Sequence, residues 1–346
     1  MKTDKAISNL KVCKRCVLPE TFPGIRFDDS GVCNYCLDHE NSENRTSNKA
    51  EYRDKFQALV REYRGTSAYD ALICYSGGKD STYTLAVLKE EYGLSILAVS
   101  VDNGFISNQA VKNIITVVET LGIDHIFFKP RYDIMSQVFR CCAVKDIFPP
   151  KALEKASSIC TACMAFVKYS TLRMALEKDI PFIVYGWSPG QAPLTSSIIR
   201  NSPKMAQFMQ RSLYAPLYRV IGQEIRPYFL EDRHFSGSYR FPYYVHPLAF
   251  HKYNEEKIYR DIRDLGWKPP EDVDANSTNC LLNSLGNLVH KQRLGFHPYA
   301  YELANMVRDG FLDRDTALAR LNQPEEPEIL ATVRAKLAMI EGTHVD

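Results

Sequence analysis

A chain of 346 residues, 45% of them apolar, has material for one large domain with appendages or for two domains. Its 43 Lys and Arg against 41 Asp and Glu leave a net charge of +2, which excludes a global field for nucleic acid but not a local basic patch. The longest apolar runs, such as 94–101 and 181–185, are strand length, short of the ~20 residues of a membrane span. The N-terminal MKTDKAISNLKVCKRC has no apolar core for a signal peptide, so a cytoplasmic protein with reduced thiols is expected, with no membrane contact.

In chain order, residues 1–48 are rich in cysteine and turns and read as a zinc-ribbon-like domain; the polar stretch 41–49 reads as a linker. From Glu51 to Tyr63 apolar residues recur at helical spacing. An alternation of strand and helix follows: strand Tyr69–Tyr75, helix Ser81–Tyr92, strand Ser95–Val101, helix Asn108–Leu121, strand His125–Lys129, helix Lys168–Lys178 and strand Pro181–Tyr185. That order predicts an α/β fold, a doubly wound parallel sheet with right-handed crossovers, over a domain at 49–290. Residues 187–240 read as an irregular insertion, Tyr253–Leu265 and Pro298–Leu321 as helical, and 291–346 as a C-terminal helical tail. SGGKDS, VDNG and YGWSPG all fall at predicted strand ends, where such sheets bind ligands.

SGGKDS (76–81) follows a strand and opens a helix. Gly77 and Gly78 allow close backbone approach, and their N–H groups with the helix N-terminus can form an anion nest. Ser76 and Ser81 add hydroxyl donors, Lys79 a point charge, and Asp80 a route to Mg²⁺. The spacing is not that of Walker A. The motif resembles the PP-loop of the N-type ATP pyrophosphatases, which cleave ATP between the α and β phosphates. The resemblance implies ATP on Ser76, Gly77, Gly78, Lys79, Asp80 and Ser81. It places Asp102 and Asn103 near the ribose and adenine and Gly186 beside the nucleotide, although Asp102-Asn103-Gly104 alone reads as a turn.

Cys13-x2-Cys16-x16-Cys33-x2-Cys36 has the spacing of a structural Zn²⁺ site, whose closed thiolate shell leaves no catalytic position. This segment, together with ELANMVRDGFLDRDTALARL near the C-terminus, resembles the N-acetyl sugar amidotransferase family of PP-loop enzymes. Cys160-Thr161-Ala162-Cys163 plus Cys280 resembles instead the tRNA thiolation enzymes of the same superfamily. That resemblance implies a [4Fe–4S] cluster on three thiolates, with one iron open to sulfur. A persulfide pair and a purely structural role stay open for these cysteines.

Cys141 and Cys142, Cys74 in a strand, the scattered histidines and the aromatic run at 239–244 read as core or structural groups. Arg200, Lys204, Arg211 and Arg219 read as a solvated face, with an acidic substrate as the alternative. These signals predict an adenylating transferase in which Lys79, Asp80, Cys160, Cys163 and Cys280 carry the chemistry. Sulfur insertion into a small molecule, a nucleobase or a tRNA is the leading expectation. Ammonia transfer to an N-acetyl sugar and a non-catalytic nucleotide-binding protein are the alternatives. Expected partners are a sulfur donor or a glutaminase, and a homodimer is admitted.

Overall fold

The computed structural model describes residues 10–43, 48–274 and 276–339; the linker expected at 41–49 and the end of the tail lie partly outside these. The strands are β1 (Ala71–Cys74), β2 (Ile96–Val101), β3 (Asp124–Phe128), β4 (Phe182–Tyr185), β5 (Ile198–Arg200) and β6 (Tyr243–Val245). They form a six-stranded sheet of order β3-β2-β1-β4-β6-β5. Every neighbouring pair is parallel except β5 and β6. The runs Ala-Leu-Ile-Cys and Phe-Ile-Val-Tyr lack polar alternation because both faces of these strands are covered.

Helices α1 (Asn34–Glu43), α2 (Lys49–Tyr63), α3 (Lys79–Glu90), α4 (Asn108–Leu121), α5 (Tyr132–Val144), α6 (Pro150–Leu153) and α7 (Ser158–Glu177) precede β4. After it come α8 (Pro203–Ile221), α9 (Asp232–Ser236), α10 (Glu255–Asp264), α11 (Leu282–Leu294), α12 (Ala300–Arg308), α13 (Arg314–Asn322) and α14 (Pro327–Lys336). On one face Leu72, Leu97, Ile183 and Tyr244 meet Phe139 of α5 and Phe166 of α7. On the other, Ile73, Ala98, Val184 and Val245 meet Leu85 of α3, Ile114 of α4 and Ile258 of α10. The sheet is therefore doubly wound, as expected. A third cluster joins Cys13, Cys16, Cys33 and Cys36 to Phe296, Ala300, Leu303 and Ala317, so the cysteine segment shares one core with α12 and α13.

The chain moves outward from β1 to β3 and then returns to β4 on the other flank of β1. The carboxyl ends of β1 and β4 are thus the topological switch point, where α/β sheets bind ligands. SGGKDS leaves β1 there, and Gly186 leaves β4.

Three elements differ from expectation. The 187–240 insertion contains α8, 19 residues long, capped by Ser202 and carrying a buried Pro216 within it. Helix α7 begins ten residues earlier than its apolar pattern suggested, because Ser157 caps it by accepting the Cys160 N–H. Pro298–Leu321 is two helices, broken at Gly310, whose φ is +71°. Among the described residues no helix is long and apolar enough to cross a membrane.

Candidate nucleotide and cysteine sites

Ser76, Gly77 and Gly78 turn the chain from β1 into α3. Gly77 has φ +73°, and a Cβ there would stand 2.7 Å from Ala110 O and from Ile114 Cγ1. Trp267 fixes the turn by donating its indole N–H to Gly77 O at 2.9 Å. The Ser76 and Ser81 hydroxyls lie 3.1 Å apart across the loop. Gly78 is the N-cap of α3 and has no side chain to offer. The first-turn N–H groups of a helix have no intrahelical acceptor. That of Lys79 goes to Thr278 Oγ1 at 3.0 Å, which leaves those of Asp80 and Ser81 for an anion.

Lys79 is buried and does not point into solvent. Its ammonium donates to Tyr253 OH at 2.7 Å and Glu255 Oε1 at 2.8 Å and lies 3.3 Å from Asp80. Burial opposes its charge, but Asp80, Tyr253 and Glu255 together hold it protonated well above the usual lysine range. Glu255 pays the same desolvation cost, and Lys79 and Arg320 still bring it down to about 2. Lys79 is therefore a fixed positive charge at any working pH.

Beside it opens a cavity of about 290 Å³, lined among others by Lys79, Asp80, Ser188, Tyr299, Glu302 and Arg320. Glu302 accepts hydrogen bonds from Ser188 Oγ at 2.6 Å and Gln191 Nε2 at 2.9 Å. Burial lifts its carboxyl from the ordinary 4.5 to about 7, with those hydrogen bonds pulling the other way. The unfolded chain releases this proton at the ordinary value and the folded chain near neutrality. Between the two the native state binds more protons, so stability falls as pH rises. Glu302→Gln is expected to flatten that slope and to melt above wild type at about pH 8. Thermal melts across the range check this; an unchanged slope in the variant counts against it. No local signal marked Glu302: in the sequence it is one acid on an amphipathic helix. Tyr253, Glu255 and Thr278 were also missed, since each reaches the loop only through tertiary packing.

The second centre lies one step along the sheet. Asn103, at the carboxyl end of β2, points its Nδ2 at Cys163 Sγ (3.4 Å) and Cys280 Sγ (3.5 Å). Its Oδ1 accepts from Phe105 N at 2.8 Å, which fixes the amide. Cys160 in the first turn of α7 donates to Asn283 Oδ1 at 3.7 Å, and Tyr299 OH donates to the same oxygen at 3.3 Å. Tyr299 thus stands between the three cysteines and the cavity. Cys280 also pairs across to Ile106, with Ser107 N donating to Asn279 O and Leu281 N to Phe105 O, both at 2.9 Å. Thr278, bonded to the start of α3, and Cys280, beside Asn103, are separated by at most about 7 Å of chain. Burial pushes the Cys160 thiol up to about 11 and Cys163 up to about 12, and raises Cys280 as well. Free thiols so held are poor nucleophiles at neutral pH, whereas a bound metal would deprotonate them outright. Among the described residues the N-terminal quartet is the group whose ligand atoms all lie within 4.8 Å of one another, and these three cysteines form no such group. A single ion requires the short spacing; a cluster, whose cysteines reach separate irons, requires a wider one.

In the quartet neighbouring sulfurs lie at 3.7 Å (Cys16–Cys33 and Cys33–Cys36) and 3.9 Å (Cys13–Cys36). A tetrahedron with ~2.3 Å metal–sulfur bonds has edges of about 3.8 Å, so these sulfurs fit one ion. Cys13 Sγ also accepts from Cys33 N at 3.3 Å, the knuckle bonding expected around a thiolate.

Asp102 caps its own turn, accepting from Gly104 N, and pairs with Lys129 at 2.9 Å. Cys74 and Cys142 are packed, their thiols pushed up to about 12 by burial. His234, His246, His251, His290 and His297 are all buried, and none belongs to a metal-ligand group among the described residues.

No family model matches the chain. An uncharacterized protein of Methanocaldococcus jannaschii is 24% identical over 318 residues, which span 91% of this chain and 95% of that one. Among solved structures, the U34-tRNA thiolase NcsA from Methanococcus maripaludis with its [4Fe–4S] cluster aligns with 87% of this chain and 86% of its own, at TM-score 0.36 and 16% identity. The NMN synthetase from Francisella tularensis aligns with 84% of this chain and 97% of its own, at TM-score 0.38 and 13% identity. Overlaps this loose carry no chemistry; the residues of the two sites do.

Proposed function

We propose that the chain is an ATP-dependent adenylating transferase of the PP-loop type that inserts sulfur into its acceptor. The observation that carries this reading is the joining of two centres by one segment: Thr278 caps the phosphate loop while Cys280 meets Cys163 at Asn103.

In this reading Ser76, the Gly77-Gly78 backbone, Ser81 and the open N–H groups of α3 hold the β and γ phosphates of ATP. Lys79 neutralises charge on the leaving pyrophosphate, Asp80 holds Mg²⁺, and Asp102 and Gly186 flank the nucleoside. A carbonyl or amide oxygen of the acceptor attacks the α-phosphorus and pyrophosphate leaves. Positioning and charge neutralisation supply most of the rate. Sulfide then adds to the adenylated carbon, the carbon–oxygen bond breaks, and AMP departs. Cys160, Cys163 and Cys280 would hold a [4Fe–4S] cluster, which supplies an iron on which that sulfur can be carried. Cys13, Cys16, Cys33 and Cys36 hold Zn²⁺ in a structural role.

The test is anaerobic. Wild type is expected to bind about four irons per chain, and Cys280→Ala to lose most of the iron and all thiolated product while still releasing pyrophosphate from ATP. Full iron in Cys280→Ala would remove the proposed ligand set. A colourless wild type whose AMP release depends on ammonia would make the enzyme an amidotransferase, and a chain that releases no pyrophosphate with any acceptor would not be an enzyme of this type.

A further inference from the structure

On the α7 side of the sheet, against β4, β6 and the end of β5, lies a group that the proposed chemistry does not use. Lys168 of α7 has only weak partners: Met209 Sδ at 3.8 Å and the rings of Tyr169 and Tyr244, at 5.8 and 5.4 Å. Among the described residues no carboxylate comes within ion-pair distance of it. Around it four buried polar atoms have no hydrogen bond of ordinary geometry: Asn201 Nδ2, His246 Nδ1 and the hydroxyls of Tyr185 and Tyr244, of which Tyr244 faces Asn201 and Tyr185 faces Thr171. The residues that bear them are all 4–5% exposed. Asn201 is oriented, since its Oδ1 accepts from Ser202 N at 3.0 Å and its Nδ2 is turned the other way. Trp187 stacks on His246 at 4.5 Å and 13° and, like Lys168, is only partly buried.

Buried polar atoms are ordinarily paired, and burial of much of the Lys168 side chain with no anion beside it brings the ammonium down to about 8, still mostly charged at neutral pH. Burial keeps His246 neutral, down to about 4, with the charge of Lys168 adding to the effect. The cluster therefore carries one positive charge and several donors and no negative group. That is the chemistry of an oxyanion seat. Its place is equally specific. Tyr185 and Trp187 flank Gly186, which packs against the start of α3, and Ser188 reaches Glu302 in the cavity. Lys168 lies five residues beyond Cys163 on the same helix, about 7.5 Å of rise.

We infer that Lys168, with Asn201, Tyr185 and Tyr244, binds the carboxylate or phosphate of a small-molecule acceptor and so anchors it beside the nucleotide and cysteine sites. The role as acceptor anchor rests on the adenylating reading; the oxyanion seat itself does not.

The probes are sodium acetate and sodium phosphate, titrated at constant ionic strength against sodium chloride and followed by the fluorescence of Trp187, with Trp187→Phe as the blank. Wild type is expected to give a saturable change with one of the two, and which one identifies the anion as carboxylate or phosphate. Lys168→Met is expected to weaken binding about tenfold or more, as loss of a charged hydrogen bond does, and Lys168→Arg to retain it. A wild type that responds to both salts as it does to chloride overturns the inference, as does equal affinity in Lys168→Met. Should Lys168→Met fail to fold, Asn201→Asp keeps the bond from Ser202 N and sets a carboxylate in the seat, and is expected to abolish binding. Pyrophosphate release by the same proteins separates the two claims. Anion binding without pyrophosphate release keeps the seat and removes the ATP chemistry; the reverse keeps the ATP chemistry and removes the seat.

Discussion

With the quartet holding zinc as proposed, Cys33→Ser is expected to strip the chain of that metal and to loosen the cysteine segment together with α12 and α13. The four quartet sulfurs belong to residues 0–1% exposed, so loss of one ligand leaves three buried thiols with no ion to share. The apparent binding energy of a structural four-ligand zinc site is roughly 10–16 kcal/mol, about as large as the whole stability of an ordinary domain. The damage cannot stay in the first forty residues. Arg314 of α13 donates to Cys13 O at 2.9 Å and Cys16 O at 3.0 Å, and Phe22 stacks on Tyr301 and meets Phe296 edge-on. Helix α12, packed on the quartet through Leu303 and Ala304, carries Glu302 and Met306 to the cavity wall. Zinc loss is thus expected to expose 295–322 to protease and to end pyrophosphate release, although no quartet residue touches the nucleotide loop. Elemental analysis with limited proteolysis checks this. One zinc per chain in Cys33→Ser, with an unchanged digestion pattern, would show that the quartet is not the metal site.

The parts of this molecule that were legible in the sequence are those written locally. SGGKDS needs only the strand before it and the helix after it, and the quartet needs only its two knuckles. The parallel sheet was legible because β1, β2 and β4 are buried on both faces and so read as unbroken apolar runs. Helix α11 was not legible: Gly286 and Asn287 sit in its middle, where glycine costs about 1 kcal/mol relative to alanine. The structure supplies the reason for the glycine, since a Cβ there would stand 2.7 Å from Ser157 Oγ at the cap of α7. Glu302, Lys168 and Thr278 were equally silent. Each draws its character from groups more than 30 residues away, and a carboxyl raised by burial or a lysine without an anion has no sequence signature at all. The expectation that Cys280 joins Cys160 and Cys163 came from resemblance, and the geometry adds to it an amide, Asn103, that touches two of the three sulfurs.

Gly186→Ala is expected to weaken nucleotide binding severely while leaving the cysteine quartet whole. The requirement for glycine here is steric rather than conformational, because Gly186 does not occupy the left-handed region. A Cβ at this position would overlap Ser81 Cα and stand 2.7 Å from Ser81 N and 3.0 Å from Asp80 C. All three are backbone atoms of the first turn of α3, so no side-chain rotation can relieve the clash. Either β4 or the helix start must move. β4 is held by ladders to β1 and β6 on its two sides, whereas the first turn of α3 is tied mainly by Thr278 and by Tyr253. The helix start is therefore expected to yield, and it carries the N–H groups that the proposal assigns to phosphate. Overpacking of this kind costs about 1–3 kcal/mol of stability, so the variant should still fold. The lost phosphate contacts, several charge-assisted hydrogen bonds at about 1.5–3 kcal/mol each, amount to a loss of affinity of roughly 100-fold or more. Calorimetric titration with ATP in the presence of Mg²⁺, beside zinc analysis of the same sample, reads both quantities. A variant that binds ATP within about threefold of wild type would mean that the phosphates do not lie against the start of α3, and the roles given to Ser76, Lys79 and Asp80 would go with that contact.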